Sequence, residues 1–307
     1  FLATSFPHPI YRAPEPWHSM YDPDDLPSLR PVVEAGKPDY HKLIRRCRDL
    51  DKVDESVLRK VMAVYLGMTS YVDHLLGQLL DALEETGLAQ ETAVVAFSDH
   101  GDWAGDYGLV EKWPSGLDDT LTRVPLIVRS PGGVEGHVVQ EPVELFDIVP
   151  TTLELANIEA RHTHYARSLL PQLHGAAGDP ARAVFAEGGY DLHEPHCFEG
   201  KSSDGVAGNP EGIYYPKGRQ QQQHPESVCR AVMIRTLHHK LVWRPNGQSE
   251  LYDLVADPME LRNVFDAIKY ATVQRDLERR LLDWQTSTGD VVPSEPGPRG
   301  FPPELVG

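Results

Sequence analysis

Apolar positions along the chain fall into a few runs of distinct period, separated by stretches rich in Pro, Gly and Asp. The clearest run is Glu55–Glu85, where Leu58, Val61, Met62, Tyr65, Met68, Val72, Leu75, Leu76, Leu79 and Leu83 recur at spacings of three and four. That period lays one apolar stripe along a helix, and Gly87 stands where a C-cap glycine belongs. Gly67 and Gly77 sit inside the run at a cost of about 1 kcal/mol each relative to Ala, which predicts either close packing or a kink. Residues 92–98 (TAVVAFS) and 124–129 (VPLIVR) are short continuous apolar runs, the pattern of strands buried on both faces of a parallel sheet. Residues 1–6 read as another short buried strand, and 11–38, dense in Pro and Asp, as an irregular surface connection. Residues 145–158 predict a helix with Pro150 near its first turn, where proline is tolerated. Strand and helix in alternation predict an α/β fold, a large mixed, mostly parallel sheet flanked by helices.

The pattern changes after Ala176. Residues 188–227 carry many Gly, Pro, His and Gln, including the run Gln220, Gln221, Gln222 and Gln223, and show no period, so they predict a long, partly mobile loop. Regular structure returns at 231–236, 239–243 and 250–254, the last two separated by an Asn246-Gly247 turn, and a small antiparallel sheet is expected there. Residues 268–284 follow as an amphipathic helix, and the tail from Val291 is rich in Pro and Gly. The expected organisation is a core over 1–180, an irregular insertion over 181–230 and a small C-terminal subdomain over 231–307, with no internal repeats.

Composition narrows the classes. Of 307 residues, 40% are hydrophobic and 24% charged, the balance of a folded globular chain. The net charge of −17 repels phosphate backbones and anionic lipid, which argues against nucleic acid or a membrane surface as partner. It also means that any site for an anion must be positive locally, and a metal ion would make it so. Cys47, Cys197 and Cys229 are odd in number and scattered, and no Asn has Ser or Thr two positions on. This pattern leans towards a reducing, cytoplasmic compartment without fixing one. The first residues, Phe-Leu-Ala-Thr-Ser, carry no initiator Met or signal-like core, so the chain is expected to begin inside a longer protein.

Candidate chemistry starts at Ser98-Asp99-His100-Gly101, directly after an apolar run. Ligands of open α/β sheets bind at the carboxyl ends of strands. Asp99 offers a hard oxygen and His100 an imidazole nitrogen, a mixture that divalent cations accept. An isolated Asp-His-Gly is more often an ordinary loop, and its surroundings decide the matter. Residues 99–113 (DHGDWAGDYGLVEKW) and then Thr122-Arg123-Val124-Pro125-Leu126-Ile127-Val128 resemble the sulfatase family of the alkaline phosphatase superfamily. Arg235-Thr236, Lys240-Leu241, Glu250-Leu251-Tyr252-Asp253-Leu254, Asp257-Pro258-Met259-Glu260 and Asn263 resemble that family's carboxy-terminal signature, and residues 1–8 resemble its strand leading to an active-site histidine.

The resemblance implies that Asp99 and His100 are metal ligands, that Lys112 contacts the sulfate oxygens and that His8 is the active-site histidine. It implies one divalent metal ion, calcium first, with manganese or magnesium as alternatives, and small-molecule or carbohydrate sulfate esters as substrates. Many members have Asn where His100 stands; the His form resembles the iduronate-sulfatase, choline-sulfatase and phosphonate-monoester-hydrolase branches. Phosphonate monoester or phosphodiester hydrolysis on the same site, and non-catalytic binding of sulfated glycans, therefore stand as alternatives. The family's nucleophile is a formylglycine made from Cys or Ser in a Cys/Ser-x-Pro-x-Arg segment. None of the three cysteines has that context, and Ser294-Glu295-Pro296-Gly297-Pro298-Arg299 has its arginine one position late. The nucleophile and paired amino-terminal Asp ligands are thus expected outside this chain, which alone is expected to be inactive. His193 and His196 with Glu194, and the adjacent His238 and His239, tempt as ligands, but expectation places them in a loop and at a sheet edge.

Overall fold

The computed structural model describes residues 1–200 and 207–290; the Pro/Gly-rich tail and part of the expected insertion lie outside the described residues. In chain order the elements are α1 (Asp39–Cys47), α2 (Glu55–Glu85), β1 (Val94–Phe97), α3 (Asp119–Thr122), β2 (Leu126–Arg129), α4 (Ile148–Leu155), α5 (Leu170–Leu173), β3 (Val184–Gly188), α6 (Tyr215–Gln223), β4 (Ala231–Arg235), β5 (His239–Trp243), β6 (Glu250–Asp253) and α7 (Ala271–Thr288).

The long helix α2 has the predicted bounds. Asp54 caps its start by accepting the Ser56 amide at 2.8 Å, and Gly87, at φ +72°, follows its end. Gly67 is explained by packing, since a Cβ there would stand 2.0 Å from the Trp17 carbonyl oxygen. Nothing within 4 Å explains Gly77. The stretch 11–38 contributes two short 3₁₀ turns, Trp17–Ser19 and Pro23–Asp25, and both pack on α2. Helix α1 was not anticipated. It buries Tyr40, His41, Ile44 and Arg45, so half of its inward face is polar and its apolar period is too short to read.

The sheets depart from expectation. Strands β1 and β2 pair antiparallel, Val94 opposite Arg129 and Phe97 opposite Leu126, and form a sheet of two strands among the described residues. Continuous apolarity reports burial on both faces rather than strand direction. The chain leaves β1, passes through a loop and α3, and returns beside it, which gives an antiparallel neighbour. Residues 1–6 are not a strand, with Phe1 and Leu2 fully or largely exposed, because no strand among the described residues lies beside them to take the backbone hydrogen bonds.

The C-terminal sheet is antiparallel as expected, in the order β3-β4-β5-β6. Its outermost strand, β3, comes from the stretch expected to be irregular. Ile234, Leu241 and Leu251 bury one face of it against Leu277 and Leu281 of α7, with Phe185 stacked on Trp284 at 4.6 Å. Helix α6 also falls in the expected loop and contains the glutamine run. Its buried residues are Lys217, Gly218, Gln220 and Gln221, so no apolar stripe marks it in the sequence.

Candidate active site

Strand β1 ends at Phe97 and the chain turns at once through Ser98, Asp99, His100 and Gly101. The turn is held by its own groups. The Ser98 hydroxyl donates to the His100 carbonyl at 2.7 Å, and Asp99 Oδ1 accepts the His100 amide at 3.0 Å. The Gly101 amide donates to the Leu121 carbonyl at 2.8 Å, and a Cβ at Gly101 would lie 2.0 Å from the Thr120 carbonyl oxygen. Only glycine lets the turn approach α3 so closely.

His100 Nδ1 lies 2.9 Å from the Gly101 carbonyl oxygen. A carbonyl only accepts, so Nδ1 carries the proton and Nε2 keeps its lone pair. That Nε2 is 3.7 Å from Asp99 Oδ2, and the two side chains are 39% and 83% exposed. A fixed imidazole nitrogen beside an accessible carboxylate can share a divalent cation. Among the described residues no group of three or more His, Cys, Asp or Glu forms a metal cage, so this pair supplies part of a ligand set.

The loop beyond the turn is strained and tightly tied. Ala104, Tyr107 and Glu111 all have left-handed backbones, at φ +47°, +57° and +65°. Each costs on the order of 1–2 kcal/mol and persists because its surroundings impose it. Those surroundings are a core of Trp103, Tyr107, Leu109, Trp113 and Leu121 packed on Tyr40 and Ile44 of α1. Asp102 Oδ1 accepts from the Tyr11 hydroxyl at 2.8 Å and from the Ala104 and Glu111 amides at 2.7 and 3.1 Å. Burial nonetheless pushes the Asp102 carboxyl above its usual range, against the pull of those donors.

Lys112 follows the strained Glu111 and is half-buried, with no hydrogen-bond or ion-pair partner among the described residues. Burial and the neighbouring Lys217 ammonium push it below the usual lysine range, while Glu111, Asp99 and Asp102 pull it back up. Lys112 therefore lies in the field of Asp99. His8 is exposed, and its Nδ1 is 2.6 Å from the Pro9 carbonyl oxygen, which leaves Nε2 without a hydrogen-bond partner among the described residues. The same carbonyl accepts the Tyr214 hydroxyl at 3.3 Å, and Tyr11 is bonded to Asp102, so the His8 segment is tied both to this loop and to the start of α6.

The structure sets Asp99 and His100 side by side on one turn, carries Lys112 on the loop that follows, and ties the His8 segment to that loop through Tyr11 and Asp102. It does not gather the other histidines. His193 is 95% exposed and bonded to Asp191, His196 is exposed, and His239 sits opposite Asp253 in the C-terminal sheet.

Below the site lies a buried ion network that sequence reasoning missed. Asp118, at the N-cap of α3, meets Lys37 at 2.8 Å and His41 at 3.3 Å. Asp119 meets Arg235 of β4 at 3.0 Å and Lys240 of β5 at 3.1 Å, and Lys240 meets Glu260 at 2.5 Å. The Glu260 carboxylate in turn accepts the Asp119 amide at 2.8 Å. The carboxy-terminal residues that drew attention in the sequence therefore clamp α3, the element on which the Asp99/His100 turn rests.

The sulfatase family model matches residues 1–158, which is half of the chain, and the C-terminal model described as N-sulphoglucosamine sulphohydrolase matches residues 195–287. The chain belongs to the sulfatase family. Among curated sulfatase-family relatives, the multifunctional alkaline phosphatase superfamily protein PehA of Trinickia caryophylli is 28% identical over 304 residues, covering 92% of this chain and 54% of that protein. An N-acetylglucosamine-6-O-sulfatase of Bacteroides thetaiotaomicron is 29% identical over 240 residues, covering 77% of this chain and 38% of its own. Among solved structures, the phosphonate monoester hydrolase of Silicibacter pomeroyi superposes with a TM-score of 0.68 at 26% identity, over 92% of this chain and 54% of that one. The chain spans 38% to 54% of the length of these three relatives. Membership in this family fits the mixed helix and sheet character of the fold, with its helices against small antiparallel sheets.

Proposed function

We propose that the full protein is a sulfuric ester hydrolase that uses a divalent metal, with small-molecule or carbohydrate sulfate esters as substrates. The observation that carries this is the Asp99/His100 pair: Nε2 is kept free by a fixed Nδ1–H and faces Asp99 Oδ2 at 3.7 Å, on the turn after β1 in a sulfatase-family chain. These residues fit a divalent ion, calcium first and manganese or magnesium as alternatives, with the remaining ligands contributed from elsewhere in the full protein. When bound, the ion neutralises charge on the group being transferred. Lys112, unpartnered and partly desolvated, places an ammonium on the sulfuryl oxygens, where it is strongest against developing charge. His8, held through Nδ1 at the Pro9 carbonyl, supplies the proton for the leaving alcohol. Cys47 and Cys229 are pushed above the usual thiol range by burial, which argues against either as nucleophile. The nucleophile, expected as formylglycine, is assigned to the part of the full protein outside these 307 residues.

The same reading extends to the fold. The apolar but exposed faces of β1 and β2 belong to a larger mixed, mostly parallel sheet completed by further strands of the full protein.

Phosphonate monoester hydrolysis is a second reading, favoured by His100 and by the likeness to the Silicibacter pomeroyi enzyme. One experiment separates the two: 4-nitrophenyl sulfate against a 4-nitrophenyl phosphonate monoester, on full-length protein with and without chelator. Dominant, chelator-sensitive sulfate release is expected. Dominant phosphonate release would promote the second reading, and turnover of neither would leave a binding protein on this fold.

A further inference from the structure

Helix α6 approaches the site at its first turn. Tyr214, at its N-cap, donates to the Pro9 carbonyl at 3.3 Å and its ring lies 6.5 Å from the His8 ring. Lys217, three residues on, shares the Tyr214 face of the helix. Its side chain is 9% exposed and its ammonium stands 3.4 Å from Glu199 Oε2, without donating a hydrogen bond among the described residues. That Glu199 oxygen already accepts from Gln221 Nε2 at 3.0 Å. Glu111, the carboxylate beside Lys112, is likewise committed, to Arg48 at 2.9 Å. The Lys217 ammonium helps push Lys112 below the usual lysine range, and the carboxylates Glu199 and Glu111 are shared with other donors. Lys112 has no ion-pair partner among the described residues and Lys217 shares its one carboxylate with Gln221, so in a chain of net charge −17 both ammoniums can take an anionic ligand with more than one acceptor group. Lys112 faces the transferred group in the reading above, whereas Lys217 stands on the helix whose first turn holds the segment of His8, the residue read there as serving the leaving alcohol.

We propose that Lys217 is a specificity-determining residue that binds a second anionic group, a sulfate or carboxylate on the alcohol portion, so that the preferred ester is at least dianionic. The inference rests on the sulfate-ester reading and deepens it.

The test is calorimetric binding of D-glucosamine 6-O-sulfate and D-glucosamine 2-N,6-O-disulfate to the full-length protein, its Lys217→Gln and Lys217→Arg variants, and Glu199→Gln. The unaltered protein should prefer the disulfate by about tenfold or more, the scale of one charge-assisted hydrogen bond. Lys217→Gln should abolish the preference, Lys217→Arg should retain most of it, and Glu199→Gln, which frees the ammonium, should increase it. In turnover, the kcat/KM of Lys217→Gln should fall at least tenfold more on the disulfate than on 4-nitrophenyl sulfate. Equal affinity for both sugars in the unaltered protein, or a preference that survives Lys217→Gln, overturns the proposal. So does an equal loss on the aryl sulfate, which would place Lys217 on the transferred group. If Lys217→Gln does not fold, an unchanged preference in Glu199→Gln overturns it equally. Absence of any aryl sulfate turnover would sink the hydrolase reading, and the binding comparison would still decide Lys217.

Discussion

His100 donates Nδ1–H to the backbone one residue on, so its ring is oriented before any ligand arrives. Asp99 is oriented in the same way, through the His100 amide it accepts. A site preorganised by main-chain bonds pays little to order its ligands, and losing either donor should cost binding rather than folding. The expected result for full-length Asp99→Ala and for His100→Ala is loss of metal by elemental analysis together with loss of activity, with a native circular dichroism spectrum and a melting temperature matching that of the chelator-treated unaltered protein. Lys112→Ala is the contrast. It should retain the metal while kcat falls about 10²- to 10³-fold, the usual scale for removing one electrostatic stabiliser. Metal retained in both ligand variants would refute the ligand assignment, and ordinary kinetics in Lys112→Ala would leave that residue a surface lysine. These three residues could be singled out in the sequence because they lie within one short segment. Tyr214 could not be, since it lies in a stretch without period and meets the His8 segment only through the folding of α6.

Helix α3 has four residues, too short for propensity to form it, and it is held from both sides by charge. Lys240 and Arg235 hold the Asp119 carboxyl down, at about 2. A carboxylate with a folded value below its unfolded one gives stability that is present above the unfolded value, near 3.9, and is lost as pH falls through the folded value. For Asp119 the contribution is about 2 kcal/mol, full above roughly pH 4 and gone by roughly pH 2. Urea unfolding should therefore find Asp119→Asn less stable than the unaltered protein at pH 6, with the gap closing towards pH 2; a gap independent of pH would remove Asp119 from the linkage. The sequence showed Asp118-Asp119 and Lys240 as separate charged residues, and only the tertiary fold pairs them. Elements with a full apolar period were read well: α2 to the residue, α4 and α7 within a turn or so, and β4 to β6. Those with polar inner faces, α1 and α6, carry no such period and were missed.

At the scale of the whole molecule, the two sheets differ in how well they are covered. The four-stranded sheet buries Ile234, Leu241 and Leu251 under α7. The two-stranded one leaves Phe97 39% and Ile127 66% exposed, although its runs read as fully buried strands. A two-stranded antiparallel pair is marginal in water, and exposed apolar strand edges invite further pairing. Sequence pattern and structure are reconciled if other strands of the full protein complete this sheet, as proposed from the apolar runs. Amide hydrogen exchange on the full-length protein tests this directly. An amide whose edge is paired and covered exchanges through large-scale opening, whereas one on a bare edge exchanges through local fluctuation. The amides of β1 and β2 on both edges should then be protected to the level of those in β4 and β5. Rapid exchange along the outer edges of β1 and β2, with β4 and β5 protected, would mean that the pair stands alone and that its apolar faces need another explanation.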